Sequence, residues 1–123
     1  MPHTIREIAE QYYRVVGKKE SGSLEPFLHP NVKLKGPLGG ARGREAVAKT
    51  TGHFMQMIES ASIRTAFANE NQALVVYDSV IPSISQSFPG TSLLTFEAGK
   101  IVQIELFYDG SPFLTQRKEI FGE

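Results

Sequence analysis

The chain has 123 residues, 13 Lys and Arg against 13 Asp and Glu, 41% hydrophobic residues and no cysteine. That length suits one domain, 1–123, with a core of its own, and a chain without cysteine has no disulfide framework, thiolate metal ligand or thiol nucleophile. A formal charge of zero argues against a nucleic-acid partner held through phosphates, the longest apolar runs, such as 73–77, are too short to cross a bilayer, and Met1-Pro2-His3 begins no secretory signal. The expectation is a cytoplasmic protein with neither nucleic-acid nor membrane partners.

Thr4-Ile5-Arg6-Glu7 forms a capping box, in which the threonine accepts from the amide three residues on and the glutamate reaches back. Ile5, Ile8, Ala9, Tyr12 and Val16 then recur as one helical apolar stripe, and Gly17-Lys18-Lys19 suits the end of that helix. Ser23 is placed to cap a short helix carrying Leu24, Phe27 and Leu28, and His29-Pro30-Asn31 reads as a turn. Val32-Lys33-Leu34-Lys35 alternates strictly, which predicts a strand with Val32 and Leu34 inward. Gly36-Pro37-Leu38-Gly39-Gly40 breaks it. A helix follows from 44 to 59, with Val47, Thr51, Phe54 and Ile58 on one stripe.

After Ser60 the pattern changes from helical to alternating. Residues 62–68, 73–81, 91–97 and 100–108 predict four strands, joined by tight links at 69–72 and 98–99 that make the neighbours antiparallel. The stretch 82–90, with Pro82, Pro89 and Gly90, reads as a rim loop. Ser111-Pro112 predicts a last short helix over 113–121. Helices first and an antiparallel sheet after give an α+β fold: a curved sheet closed on one side by the N-terminal helices, a cone with a pocket inside.

Tyr12 on the first helix, Pro30-Asn31-Val32 entering a strand, the Gly36–Gly40 break, Gly43-Arg44-Glu45-Ala46-Val47 opening a helix, and Gly99-Lys100-Ile101 leading to Phe107-Tyr108-Asp109 stand in the order and spacing of SnoaL-like proteins. Over nearly its whole length the chain resembles this family of the nuclear transport factor 2-like superfamily, which includes ketosteroid isomerases, polyketide cyclases and limonene epoxide hydrolases. The resemblance implies a cone-shaped barrel, commonly a homodimer, with an apolar cavity, and leaves the reaction open. Compared with the isomerases, Tyr12 falls on the oxyanion tyrosine, Gly36 where the general-base carboxylate belongs, Ser92 near the protonated aspartate and Thr51 near a second tyrosine. One of the four roles survives, so steroid isomerisation is not expected. Compared with the epoxide hydrolases, Asp78 matches one aspartate, while Val76 and Leu106 replace the arginine and the other aspartate.

Alternation on the last strand puts Val102, Ile104, Leu106 and Tyr108 towards the cavity and Gln103, Glu105, Phe107 and Asp109 outside. On the strand over 73–81, Val76, Asp78 and Val80 oppose Val75, Tyr77 and Ser79, and both faces carry apolar residues. The hydrolase comparison turns Asp78 inward. A carboxylate in an apolar cavity exchanges its proton near neutral pH, because desolvation penalises the charged form. Asp78 as acid/base and Tyr12 as oxyanion donor are therefore the candidate catalytic pair. Leu34, Phe54, Ser92, Leu94, Leu106 and Tyr108 are the candidate ligand-binding residues.

His53 reads as a helix-surface residue and Tyr13 as a flank residue. There is no helical His pair and no close His–carboxylate cluster, and the glycine-rich break lacks phosphate-loop spacing, so neither metal nor cofactor is expected. The expected partners are a small apolar ligand and a second copy, the latter against the outer sheet face through Phe107, Tyr77, Gln103 and Glu105. The expected function is small-molecule binding with possible proton-transfer chemistry on a carbonyl compound, the alternative being non-catalytic binding or dimerisation.

Overall fold

The computed structural model describes residues 4–116. Helix α1 (Ile5–Gly17) begins at the predicted capping box: the Glu7 amide donates to the Thr4 hydroxyl at 3.2 Å and the Thr4 amide to the Glu7 carboxylate at 3.3 Å. It buries Ala9, Tyr12, Tyr13 and Val16. Two short 3-10 turns, Ser21–Ser23 and Glu25–Phe27, stand where one short helix was expected. Strand β1 (Leu28–Gly36) and strand β2 (Gly39–Arg42) form a hairpin, followed by helix α2 (Arg44–Met57). Strands β3 (Ser60–Ala68), β4 (Gln72–Ile81), β5 (Ser85–Glu97) and β6 (Lys100–Phe107) form an antiparallel meander, and a 3-10 turn, Ser111–Gln116, closes the described chain. Residues 117–121 of the expected last helix lie outside the described residues.

The sheet order is β2-β1-β6-β5-β4-β3, with β1 parallel to β6 and every other neighbour antiparallel. Register shifts interrupt the β1–β6, β3–β4, β4–β5 and β5–β6 pairings. Such irregularities bend strands, and here they accompany an open, curved sheet. Helix α1 packs over β3 and β4, and α2 over β1 and β2. The core lies between these helices and the inner sheet face, around Leu28, Val32, Val47, Leu94, Ile101 and Ile104. No helix among the described residues is long and apolar enough to cross a membrane.

The sheet has one strand more than expected, because Gly39-Gly40 continues into β2. The backbone requires glycine there: a Cβ at Gly40 would stand 2.3 Å from the Leu34 carbonyl oxygen. Most of the expected rim loop is the first part of β5. Residues 85–90 pair with β4 alone, since β6 ends opposite Thr91. An open neighbouring edge accommodates Pro89, which has no amide to donate. His29-Pro30-Asn31 is extended within β1, yet pairs with neither neighbour.

Candidate functional site

The helices and the inner sheet face enclose a cavity of about 60 Å³, several times the roughly 10–15 Å³ that one water needs. Helix α1 contributes Tyr12, Tyr13 and Val16 to its wall, and α2 contributes Thr50, Thr51 and Phe54. The sheet contributes Leu34 and Gly36 from β1, Tyr77 and Ser79 from β4, and Ile104 and Leu106 from β6, with Tyr108 just past that strand. All sixteen described lining residues are neutral, and all four tyrosines of the chain are among them.

The register shows why the phenols converge. Ser79 pairs with Ala61 and Phe88, Tyr77 with Ile63 and Gly90, and Val75 with Ser92, which in turn pairs with Leu106. Residues paired across strands share a face, so Tyr77 and Ser92 point the same way as the cavity residues of β6. Gly90 makes room for this, because a Cβ there would stand 2.8 Å from the Tyr77 ring. The Tyr13 and Tyr77 rings stack with centroids 5.1 Å apart, and Tyr12 meets Tyr13 edge-on at 5.2 Å and Phe27 at 5.7 Å.

Three of the polar groups on this side form a chain. The Tyr13 hydroxyl donates to Ser92 Oγ, and Ser92 Oγ donates to the Tyr77 hydroxyl at a long 3.4 Å. The Tyr12 hydroxyl is buried and has no hydrogen-bond partner of acceptable geometry among the described residues. Burial pushes the Tyr12 phenol up to about 12; a side-chain hydrogen-bond interaction with Thr51, too poorly formed to satisfy the hydroxyl, offsets part of that rise, and Tyr77 adds to it. Burial also pushes Tyr13 well above the ordinary phenol value and raises Tyr77, in each case partly offset by Ser92. Tyr108, half-buried, is pushed up to about 12 by burial and then by Tyr77. At neutral pH the cavity therefore presents protonated phenols: hydrogen-bond donors in a wall that is otherwise mostly carbon.

A second aromatic group stands at the other side of the cavity. Phe54 and Tyr108 line the wall 6.2 Å apart, and Phe113 packs against both at 5.7 and 5.6 Å. Phe88 completes the group, 5.1 Å from Phe113 and 6.2 Å from Tyr108.

Of the expected site residues, Tyr12, Leu34, Phe54, Leu106 and Tyr108 line the cavity. Ser92 is fully buried behind the wall, where it joins Tyr13 to Tyr77, and Leu94 is a fully buried core residue of the same inner face. Gly36 and Thr51, aligned with two isomerase roles, both stand on the wall. His53 faces a shallow surface groove with Lys49 and Gln56.

Asp78 does not reach the cavity. It lies on the outer face, paired across strands with Ser62 and Pro89, and meets Arg64 at 3.6 Å with 34% of its side chain exposed. Strict alternation sends Asp78 out wherever Tyr77 and Ser79 point in, so the expected acid/base role loses its geometry. For the same reason Tyr77 leaves the expected outer-face interface. Sequence reasoning missed Tyr13, Tyr77, Ser79 and Thr50. For Tyr13 a signal was present, since Ala9, Tyr13 and Val16 are themselves spaced four and three apart and widen the α1 stripe.

A curved α+β cone with helices on its inner face defines a class of fold, and known proteins share it. Residues 9–104 match the SnoaL-like domain, and the chain belongs to that family. No curated protein matches it. Among solved structures it is similar to a de novo designed protein with a curved β-sheet, at 19% identity over 96% of this chain and 94% of that one, TM-score 0.85. It is similar to an NTF2-like protein of unknown function from Cytophaga hutchinsonii, at 18% identity over 92% and 96% of the two chains, TM-score 0.75. It is also similar to a steroid delta-isomerase from Pseudomonas aeruginosa, at 14% identity over 99% and 91%, TM-score 0.78. At these identities the likeness is one of fold.

Proposed function

We propose that this protein binds a small, neutral, largely apolar molecule carrying a hydrogen-bond-accepting oxygen, with the Tyr12 hydroxyl as donor. The observation that carries the reading is that buried hydroxyl, which approaches Thr51 but makes no well-formed hydrogen bond with a described residue, in a wall whose described residues are all neutral. Leaving a buried donor unpaired costs about 1–3 kcal/mol, which a ligand oxygen recovers on binding. A ligand with a full charge would enter a wall whose described residues offer it no counter-charge. The isomerase neighbour does not extend the reading to proton transfer. At the place aligned with the general base this chain has Gly36, and a Cβ there would already stand 3.2 Å from the Leu106 Cβ.

The test is a pair of ligands of one shape, 1-tetralone and tetralin, titrated by calorimetry. The protein is expected to prefer the ketone by about tenfold, and Tyr12→Phe to remove the preference while keeping tetralin affinity. Equal affinity of the wild type for both compounds refutes the reading.

The proposal includes a second copy as partner, seated on the outer sheet face. Phe67 and Phe107 are 62% and 53% exposed, and Leu74 and Leu93, cross-strand partners in the row of Phe67, lie between their strands. The chain carries no formal net charge to hold copies apart. Sedimentation is expected to show a dimer at micromolar concentration that Phe107→Lys dissociates; a wild-type monomer overturns it.

A further inference from the structure

We propose that Phe113 is the plug of this cavity: the residue that closes its entrance, limits the rate of ligand entry and sets the length of ligand that fits. The inference rests on the reading that the cavity binds a ligand.

The entrance is located by four wall residues. Gly36 and Gly39 flank the β1–β2 turn, Phe54 stands on α2, and Tyr108 follows β6. Gly36, Gly39, Phe54 and Tyr108 are all half-buried, as are Thr51, Ala61 and Tyr77 elsewhere on the wall, whereas Tyr12, Tyr13 and Val16 are buried; the four clustered at the β1–β2 turn and the end of β6 are the side we take as the entrance. The segment after Tyr108 runs over this opening. A Cβ at Gly110 would stand 2.9 Å from Pro37 Cβ and 3.3 Å from a Leu38 methyl, so the backbone at 110 lies directly against the β1–β2 turn. Three residues later the Phe113 ring enters the group formed by Phe54, Tyr108 and Phe88.

The segment is attached in a particular way. Phe113 is fully buried, while its neighbours Pro112 and Leu114 are exposed, Leu114 by 66%. Among the described side chains of 109–114, Phe113 is the one that is buried. The hydrogen bonds of residues 109–114 with described residues stay inside the segment: the Asp109 carboxylate accepts from the Ser111 amide at 3.1 Å and from its hydroxyl at 2.7 Å, and the Phe113 amide donates to the Gly110 carbonyl at 3.0 Å. Withdrawing Phe113 therefore preserves the turn that holds the segment's shape and breaks no ladder bond of the sheet. Among the described residues, what opposes withdrawal is ring contact and apolar burial. The same movement uncovers Phe54 and Tyr108 and adds the vacated space to the cavity.

The experiment mixes 1-tetralone with the protein in a stopped-flow instrument and follows tyrosine emission, which four cavity phenols and the lack of tryptophan make a site reporter. If the plug controls entry, the wild-type rate reaches a ceiling as ketone concentration rises, because opening precedes binding. In Phe113→Ala the ceiling is expected to rise by about tenfold or disappear, with Phe113→Leu between the two. Phe113→Ala is also expected to accept a phenyl-extended tetralone that the wild type rejects. Circular dichroism checks folding; if the alanine variant is unfolded, the leucine variant carries the test alone. Identical concentration dependence in the wild type and a folded position-113 variant overturns the plug. If 1-tetralone binds in preference to tetralin and position 113 changes no rate, the plug falls alone; if it binds without preference and position 113 changes no rate, the Tyr12 reading and the plug both fall. If the wild type and folded variants bind no ketone, the binding reading falls and the plug with it.

Discussion

Strand β4 carries two different chemistries on its two faces. Inward, Val75, Tyr77 and Ser79 stand in the dry interior; outward, Val76, Asp78 and Val80 stand on the half-wet surface. Tyr77 is held by stacking on Tyr13 and by the Ser92 hydroxyl, and its phenol is raised by burial. Asp78, one residue along, meets a guanidinium that is itself 59% exposed. The difference teaches how much polar groups gain or lose by the side of a sheet they occupy. Inside, each hydroxyl needs a partner or carries a cost; outside, water substitutes for any partner that is lost.

The largest effect that separates the faces is alkaline. Phenols whose folded pKa lies above the ordinary value of 10.0 stabilise the fold fully below pH 10, and this contribution is lost as pH rises from 10 towards about 12, where the unfolded chain ionises first. For Tyr12 alone the loss is about 3 kcal/mol, and Tyr13 and Tyr77 add to it in the same direction. Denaturation midpoints are expected to be flat from pH 7 to pH 9 and to collapse above pH 10, with tyrosinate absorbance appearing together with unfolding. Tyrosinate that forms well before unfolding breaks the comparison.

A smaller effect comes from cutting the inner hydroxyl chain. Ser92→Ala removes the acceptor of Tyr13 and the donor to Tyr77 at once, and is expected to cost about 2–3 kcal/mol by urea unfolding. A cost below about 0.5 kcal/mol shows that water serves the phenols as well as Ser92 does.

The smallest effect belongs to the outer face. Asp78→Asn removes an exposed ion pair, expected to be worth about 0.5 kcal/mol or less, and to leave the tetralone preference untouched. A loss of ketone binding in this variant restores Asp78 to the site and breaks the comparison from the other side.

Local signals made much of this molecule legible. The Thr4–Glu7 box and the Tyr12–Val16 spacing located α1, the period change after Ser60 located the meander, and one wholly apolar face on β6 oriented Leu106 and Tyr108. Strand β4 was not legible by itself, because valines stand on both of its faces and periodicity does not choose between them. The hydrolase-like match at Asp78, which lacks its arginine and second aspartate, points to the wrong face. A better signal was Gly90, which lies opposite Tyr77 with no side chain to obstruct the ring. The register that pairs them is a tertiary fact, set by how β5 extends back through Pro89. Strand β2 was hidden because a glycine pair reads as a break until the close approach to Leu34 supplies the reason for it.

The parallel pairing of β1 with β6 has a consequence in time. Leu34 lies beside Ile104, seventy positions later (104 − 34), whereas the meander from β3 to β6 is built from strands adjacent in sequence. Contacts so far apart in the chain close slowly, because the intervening loop must lose its freedom before the contact gains anything. On the ribosome the β1–β2 hairpin is the first part of the sheet to leave, after α1, and waits for the last strand to be synthesised before its edge is covered. Until then the β6-facing backbone edge of β1 is unpaired, even where α2 already covers its side chains, so the interval between making residue 34 and residue 104 is when that edge is open to pairing with other strands.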